Sequence, residues 1–310
     1  MKIVFLDGKT IGDDWDLEQF HALGEVVMYA YSSDEEIPER VADADVVVVN
    51  KCEMNRTNLA TAKNLKLICV TATGTNNLDK AYLEERGIAW RNVAGYSTEN
   101  VAQHTFALLF FLLEKMAYYD EYVKSEQYMN DTMFTHFGEK FHELSGRTWG
   151  IIGMGNIGQR VAGLAKAFGC RVIYYSTSGK NNQPGYERVE LKELLSQSDI
   201  VSVHAPLTEE TKLLMNKDAF VAMKESAIFI NVGRGPIVDE QALADALNEG
   251  QIAAAGLDVL SQEPMTADNP LRFIKDSRKL VITPHIAWAS VEARARLMKI
   301  VAGQIAEFFA

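Results

Sequence analysis

Short apolar and β-branched runs alternate with longer stretches whose apolar positions fall three and four apart, and this alternation covers the whole chain. Runs at 3–6, 26–29, 46–49, 67–70 and 88–91 read as five strands of a first α/β unit. The run Val46-Val47-Val48-Val49 has no polar face, as a parallel strand covered by helices on both sides requires. A stretch over 97–123 opens at Ser97 or Thr98 with Glu99 nearby, and it continues as VAQHTFALLFFLLEKMAYYDEYV without Gly or Pro. One long helix bridging two domains is predicted there. The alternation then restarts with runs at 149–152, 171–175, 200–203, 227–230, 252–257 and 280–282. Six strands with intervening helices is the count of a doubly wound sheet. The spacing in EARARLMKIVAGQIAEFF predicts a last helix over 290–310 that returns to the first unit. The expected architecture is α/β, with two doubly wound parallel-sheet domains formed by 1–96 plus 287–310 and by 97–286.

Composition narrows the function classes. With 310 residues the chain has room for two cores. Lys and Arg number 31 against 42 Asp and Glu, a net charge of −11, so nucleic acid and anionic bilayers are unfavourable partners. The longest apolar stretch, 106–113, is far short of a membrane span, and Met1-Lys2 leads directly into IVFL without a signal-peptide pattern, which points to the cytoplasm. Cys52, Cys69 and Cys170 have neither CxxC spacing nor His partners at ligand spacing, so neither a metal site nor a disulfide framework is expected.

Gly153-Met154-Gly155-Asn156-Ile157-Gly158 matches GxGxxG, and its context makes the match informative. The strand TWGII precedes it and the helical IGQRVAGLAKAFG follows, so the glycines fit a tight turn, a close approach to a pyrophosphate and close helix packing. The next strand, RVIYY, ends at Ser176, where an NAD site would place a carboxylate to bind the ribose 2′-hydroxyl. No Arg follows immediately, although Lys180 and Arg188 lie further on. The balance favours NAD and leaves NADP open.

Three residues stand just past strands of the second unit: Arg234 after AIFINVG, Glu263 after AAAGLDVL, and His285 after LVITP. Ligands of open α/β sheets bind beyond the carboxyl ends of strands, so the three are candidates to converge. Hydride exchange with a carbinol carbon needs a base for the hydroxyl proton, a role suited to His285 near neutrality. A carboxylate such as Glu263 stabilises the imidazolium needed in the reverse direction, and the planar fork of Arg234 suits an α-carboxylate or its adjacent carbonyl.

The strings NVGRGPIVDE, GLDVLSQEP and TPHIAWASVEAR, in that order after GMGNIG, resemble the D-isomer-specific 2-hydroxyacid dehydrogenase family over nearly the whole chain. The resemblance implies a flavodoxin-like substrate domain and a Rossmann dinucleotide-binding domain. It implies Arg234 as the substrate-binding arginine, His285 as the acid/base and Glu263 as its partner. It places Val101, Thr105, His204, Ala205, Pro206, Val232 and Asp258 along the cofactor, with Asp258 at the nicotinamide carboxamide. Thr73, Gly74 and Thr75 match the loop that receives the substrate carboxylate, and Lys51 in Asn50-Lys51-Cys52 adds positive charge on the substrate side. GYSTENVAQHTFALL and TPHIAWASVEAR are most similar to glycerate dehydrogenases that reduce hydroxypyruvate, with Trp288 restricting substrate size. Other 2-keto acids of pyruvate or phenylpyruvate type, or a co-repressor-like nucleotide sensor on the same fold, are the competing readings. The apolar surface of the 97–123 helix, in FALLFFLL and at Met116, Tyr118 and Tyr119, suggests a homodimer.

Overall fold

In the computed structural model, which describes residues 1–310, the chain forms two units, one of Met1–Ser97 with Trp288–Ala310 and one of Thr98–Ala287. The first unit is a five-stranded parallel sheet of β1 (Lys2–Phe5), β2 (Glu25–Met28), β3 (Val46–Val49), β4 (Leu67–Val70) and β5 (Ala89–Arg91), in the order β2-β1-β3-β4-β5. Its helices are α1 (Glu18–His21), α2 (Ile37–Arg40), α3 (Lys80–Glu85) and the C-terminal helix Val291–Phe309.

The two-residue period of the strands sorts their side chains onto two cores. Val4, Val47, Val49, Ile68 and Val70 pack with Ile37 and Val41 around α2 and with Tyr82 and Leu83 of α3. Ile3, Phe5, Val46, Val48, Leu67 and Cys69 pack with Phe20 of α1 and with Leu297, Met298, Val301 and Ile305 of the C-terminal helix. This double coverage is why the polar-free VVVV run is a strand, each buried Val contributing about 1.5–3 kcal/mol. Ser290 caps the C-terminal helix by accepting the N–H of Ala293 at 3.2 Å.

At the carboxyl edge of this sheet a buried acid organises two loops. Asp7, 3% exposed just after β1, accepts the backbone N–H of Asn50 at 2.9 Å, of Lys51 at 2.6 Å and of Cys52 at 3.2 Å. Asn77 Nδ2 donates to Cys52 O at 3.0 Å, and Met54 N donates to Asn77 O at 2.7 Å. The loops after β3 and β4 are thereby tied together.

The second unit begins with α4 (Thr98–Leu113) and α5 (Met116–Lys124). Its seven parallel strands are β6 (Thr148–Ile152), β7 (Arg171–Tyr175), β8 (Glu187–Arg188), β9 (Ile200–Val203), β10 (Ile228–Asn231), β11 (Ala254–Leu257) and β12 (Leu280–Ile282). They lie in the order β12-β11-β10-β9-β6-β7-β8, which reverses direction between β6 and β9 as a dinucleotide-binding sheet does. The remaining helices are α6 (Asn156–Ala167), α7 (Leu191–Gln197), α8 (Lys217–Val221) and α9 (Glu240–Glu249).

Two expectations are corrected. The sheet has a seventh strand, β8, which is only two residues long and exposed, so it has no hydrophobic signature and exists through pairing with β7. The 97–123 helix is two helices, parted at Lys115, whose φ of 54° is left-handed. Packing sets that break: Leu108, Leu109 and Leu112 anchor α4 in its own unit, where it covers β10, β11 and α6, whereas α5 buries no residue. Most of the FALLFFLL surface is therefore already covered by its own sheet. Phe111, Met116 and Val123 of the stretch stay exposed, and the following segment is more so, with Phe134 91%, Phe137 81% and Met129 72% exposed. No helix is long and apolar enough to cross a membrane.

Asp7→Ala leaves three loop amides, that of buried Asn50 among them, without their acceptor and is expected to destabilise the first unit by about 2–4 kcal/mol. Urea unfolding checks this, with Asp7→Asn, which keeps one acceptor oxygen, losing less.

Candidate active site

The glycine loop joins β6 to α6. Gly153 has φ 93°, and a Cβ there would lie 2.8 Å from the backbone of Ala205, so only glycine fits the turn. A Cβ on Gly158 would meet Gly153 O at 2.2 Å, which makes this glycine the condition for close packing of α6 on the loop. Gly155 differs: it is exposed and a Cβ would touch nothing within 4 Å. It is also the N-cap of α6, with no side-chain capping bond, so the first N–H groups of a twelve-residue helix face an open cradle. Asn156 is exposed beside it and Ile157 half-buried. Such a cradle suits an anion such as a pyrophosphate.

Ser176 follows β7 and is 3% exposed, with Oγ accepting the N–H of Asn181 at 3.2 Å. Asn181 Nδ2 in turn donates to Met154 O of the glycine loop at 2.5 Å, and Gly153 N donates to Tyr175 O at 3.0 Å. The 176–181 turn is thus fixed relative to the cradle.

At the other side of the sheet, Asp258 follows β11 and is 1% exposed. Its Oδ1 accepts Thr283 Oγ1 at 2.6 Å and Ile286 N at 2.9 Å, while Oδ2 accepts Ala287 N at 2.8 Å. Its backbone O accepts His285 N at 2.8 Å. These bonds bend the segment after β12 so that His285 takes the left-handed φ of 55°, a conformation costly for a non-glycine residue. The imidazole then meets its carboxylate, with Nδ1 of His285 2.7 Å from Oε2 of Glu263. The second oxygen, Oε1, accepts Leu260 N at 3.0 Å, which holds the carboxylate in place.

Behind this loop, His104 Nε2 of α4 lies 2.9 Å from Thr283 Oγ1. Thr283 has one hydroxyl proton and gives it to Asp258, so its oxygen accepts from His104 and Nε2 of that ring carries hydrogen. Asn100 Nδ2 donates to Ala287 O at 2.6 Å. His104, Thr283 and Asn100 were not among the expected site residues; the only signal for His104 is a polar ring within the apolar stripe VAQHTFALL.

A match to the family model for the NAD binding domain of D-isomer specific 2-hydroxyacid dehydrogenases spans residues 106–287. The hydroxypyruvate reductase of Blautia hydrogenotrophica is 40% identical over 99% of this chain and 97% of its own. The chain belongs to the D-isomer specific 2-hydroxyacid dehydrogenase family. Among solved structures, an acyclic imino acid reductase in complex with NADPH and D-Arg superposes with a TM-score of 0.89 at 30% identity, covering 100% of this chain and 97% of that one. D-Lactate dehydrogenase from Aquifex aeolicus, complexed with NAD and lactic acid, gives a TM-score of 0.86 at 27% identity, over 99% and 95% of the two chains.

The remaining candidates of this dehydrogenase fall at known places within each unit. Arg234 is half-buried after β10, its Nη1 donating to Gly233 O at 2.8 Å. Val101 and Val232 are buried, and buried Thr105 gives its hydroxyl to Val101 O at 2.8 Å. Ala205 is buried against Gly153 and Pro206 is exposed. In the first unit Lys51 and Thr73 are exposed, Gly74 and Thr75 are half-buried, and Trp288 packs edge-on to Tyr96 with ring centroids 6.4 Å apart. Burial pushes the thiols of Cys52 and Cys69 up to about 12 and that of Cys170 to about 11.

A nicotinamide dinucleotide fits the cradle: its pyrophosphate would lie on the N–H groups beyond Gly155, beside His204, Ala205 and Pro206. His204 Nε2 is 2.9 Å from Ser202 Oγ, which also accepts Trp149 Nε1 at 2.8 Å, and its Nδ1 is enclosed without a partner in the protein. Burial pushes the imidazole down to about 3, so the folded chain holds it neutral where the unfolded chain protonates it. The unfolded state binds the extra proton between about pH 6.5 and the folded value, so stability is full above that window and is lost as pH falls through it. His204→Gln is expected to flatten this loss by about 1–2 kcal/mol between pH 7 and pH 5, as read from urea midpoints of the two proteins.

Proposed function

We propose that this dehydrogenase reduces hydroxypyruvate to D-glycerate and also accepts glyoxylate, with the His285–Glu263 pair at 2.7 Å as the observation that carries the reading. Reduction of a 2-keto acid needs a hydride at the keto carbon and a proton at the keto oxygen. The hydride is the contribution of a bound reduced nicotinamide. His285 supplies the proton from Nε2, because Nδ1 is committed to Glu263, and takes it back in the oxidative direction. Glu263 orients the ring and pairs with its charged form. Arg234 binds the substrate carboxylate and polarises the adjacent carbonyl through its planar fork. Asp258 holds the His285 loop and presents its remaining acceptor capacity to the carboxamide. Thr73, Gly74 and Thr75 receive the carboxylate through backbone N–H groups, Lys51 adds positive charge, and Trp288 limits the substrate side chain to a small group. The likeness to the Blautia hydroxypyruvate reductase supports this substrate choice.

The test follows loss of NADH or NADPH absorbance with hydroxypyruvate, glyoxylate, pyruvate and phenylpyruvate supplied separately. Hydroxypyruvate is expected to give the highest kcat/KM, and a higher value with phenylpyruvate overturns the substrate assignment. His285→Ala is expected to lower kcat by about 10²–10⁴ while coenzyme still binds, as measured by fluorescence titration. Near-normal turnover in that variant overturns the acid/base assignment.

The protein's partner is a second copy of itself, docked through the segment that follows α5. Phe134, Phe137 and Met129 are too exposed for a segment in water, and a twofold self-contact is the commonest way to cover such a surface. Light scattering at micromolar concentration is expected to give twice the chain mass, and Phe134→Glu with Phe137→Glu to give the monomer.

A further inference from the structure

We propose that the turn after β7 is a receptor for a ribose 2′-phosphate, so that this chain binds NADPH more tightly than NADH. The proposal rests on the dehydrogenase reading and adds which coenzyme the site takes. The turn lies where a dinucleotide's adenosine ribose falls, beyond the carboxyl end of the strand next to the glycine loop. A carboxylate there would accept a bond from the free 2′-hydroxyl and would repel a phosphate. Ser176 stands in that place instead, and its Oγ is already occupied by Asn181 N.

Between Ser176 and Tyr186 there is no Asp or Glu at all. The first acid after the turn, Glu187, is paired with Arg171 at 2.7 Å, which removes its charge from the account. Two cations without an ion-pair partner stand at the turn, one beside its tip and one within it. Arg188 Nη2 lies 4.0 Å from the Cβ position of Gly179, which places the guanidinium beside the tip of the turn, and Lys180 follows that glycine. Gly179 itself is left-handed, with φ 68°, and its N–H closes the turn on Ser176 O at 3.0 Å. The tip therefore carries Thr177, Ser178, whose Oγ accepts Lys180 N at 3.3 Å and keeps its own proton to donate, and Lys180, beside the Arg188 guanidinium, residue types that supply donors for a dianionic phosphate.

Rigidity strengthens the case. Asn181 Nδ2 on Met154 O and Gly153 N on Tyr175 O fix the turn relative to the pyrophosphate cradle, so the two anion sites keep a set spacing. Two phosphate groups joined through one ribose match two sites held apart by the protein, and neither site has to be assembled on binding.

Fluorescence titration of the wild-type chain with NADPH and NADH reads the proposal directly, and calorimetry with 2′,5′-ADP against 5′-ADP isolates the 2′-phosphate without any catalysis. NADPH is expected to bind at least roughly tenfold more tightly than NADH, and 2′,5′-ADP more tightly than 5′-ADP. The NADPH preference should shrink as ionic strength rises. Arg188→Ala and Lys180→Ala should each lower the NADPH-to-NADH affinity ratio several-fold, and Ser176→Asp should invert it. Equal affinities, or tighter binding of NADH, overturn the proposal while leaving the dehydrogenase reading intact. Binding of neither coenzyme overturns that reading itself.

Discussion

The buried carboxylate of Asp258 shapes the reactive end of the second unit. It stands just past β11 with almost no exposure, and it takes the Thr283 hydroxyl and the N–H groups of Ile286 and Ala287. A charge buried this deeply is tolerable only when saturated with donors, and here the donors all come from the segment that carries His285. Satisfying the carboxylate and bending that segment are the same event. The left-handed backbone at His285 follows from it, and so does the meeting of imidazole and Glu263. His104 supports the arrangement from α4 through Thr283, so the geometry of the pair depends on this helix as well.

The first unit repeats the device with a different acid. Asp7 follows β1 as Asp258 follows β11, and it gathers three consecutive amides of the loop after the neighbouring strand. In parallel sheets the loops at the carboxyl edge come from strands distant in sequence, and nothing in the ladder hydrogen bonds holds them together. A buried acid at the end of one strand supplies that missing link for the next. Asn77 extends it to a third loop through Cys52 O and Met54 N.

What the sequence reveals depends on how local the determining force is. The VVVV strand, the GMGNIG turn and the last helix over 290–310 are legible because each is set by the residues themselves and their immediate neighbours. Arg234, Glu263 and His285 are legible as strand-end residues, since the C-terminal edge of a sheet is a position that pattern reading finds. The pairing of His285 with Glu263 is legible as chemistry, but the loop shape that produces it is not, because it depends on Asp258 meeting Ile286 and Ala287 across the sheet. Strand β8 escapes notice because Glu187 and Arg188 are polar and acquire strand geometry only from β7. The break at Lys115 escapes for the opposite reason: the intrinsic preference favours one helix, and the anchoring of Leu108, Leu109 and Leu112 ends it.

The bond from Asn100 Nδ2 to Ala287 O ties together the two places where the chain leaves the second unit. Ala287 is the last residue of that unit and Asn100 is the third of it, so both exits are stapled at one point by a single side-chain amide. The N–H of Ala287 is held by Asp258 as well, which makes this residue a clamp with a grip on each side of its backbone. Along the backbone, a pull from residue 288 meets the clamp at Ala287 before it reaches His285. Ala287 thus fixes, from both sides, the backbone two residues after His285, just before the chain leaves the unit.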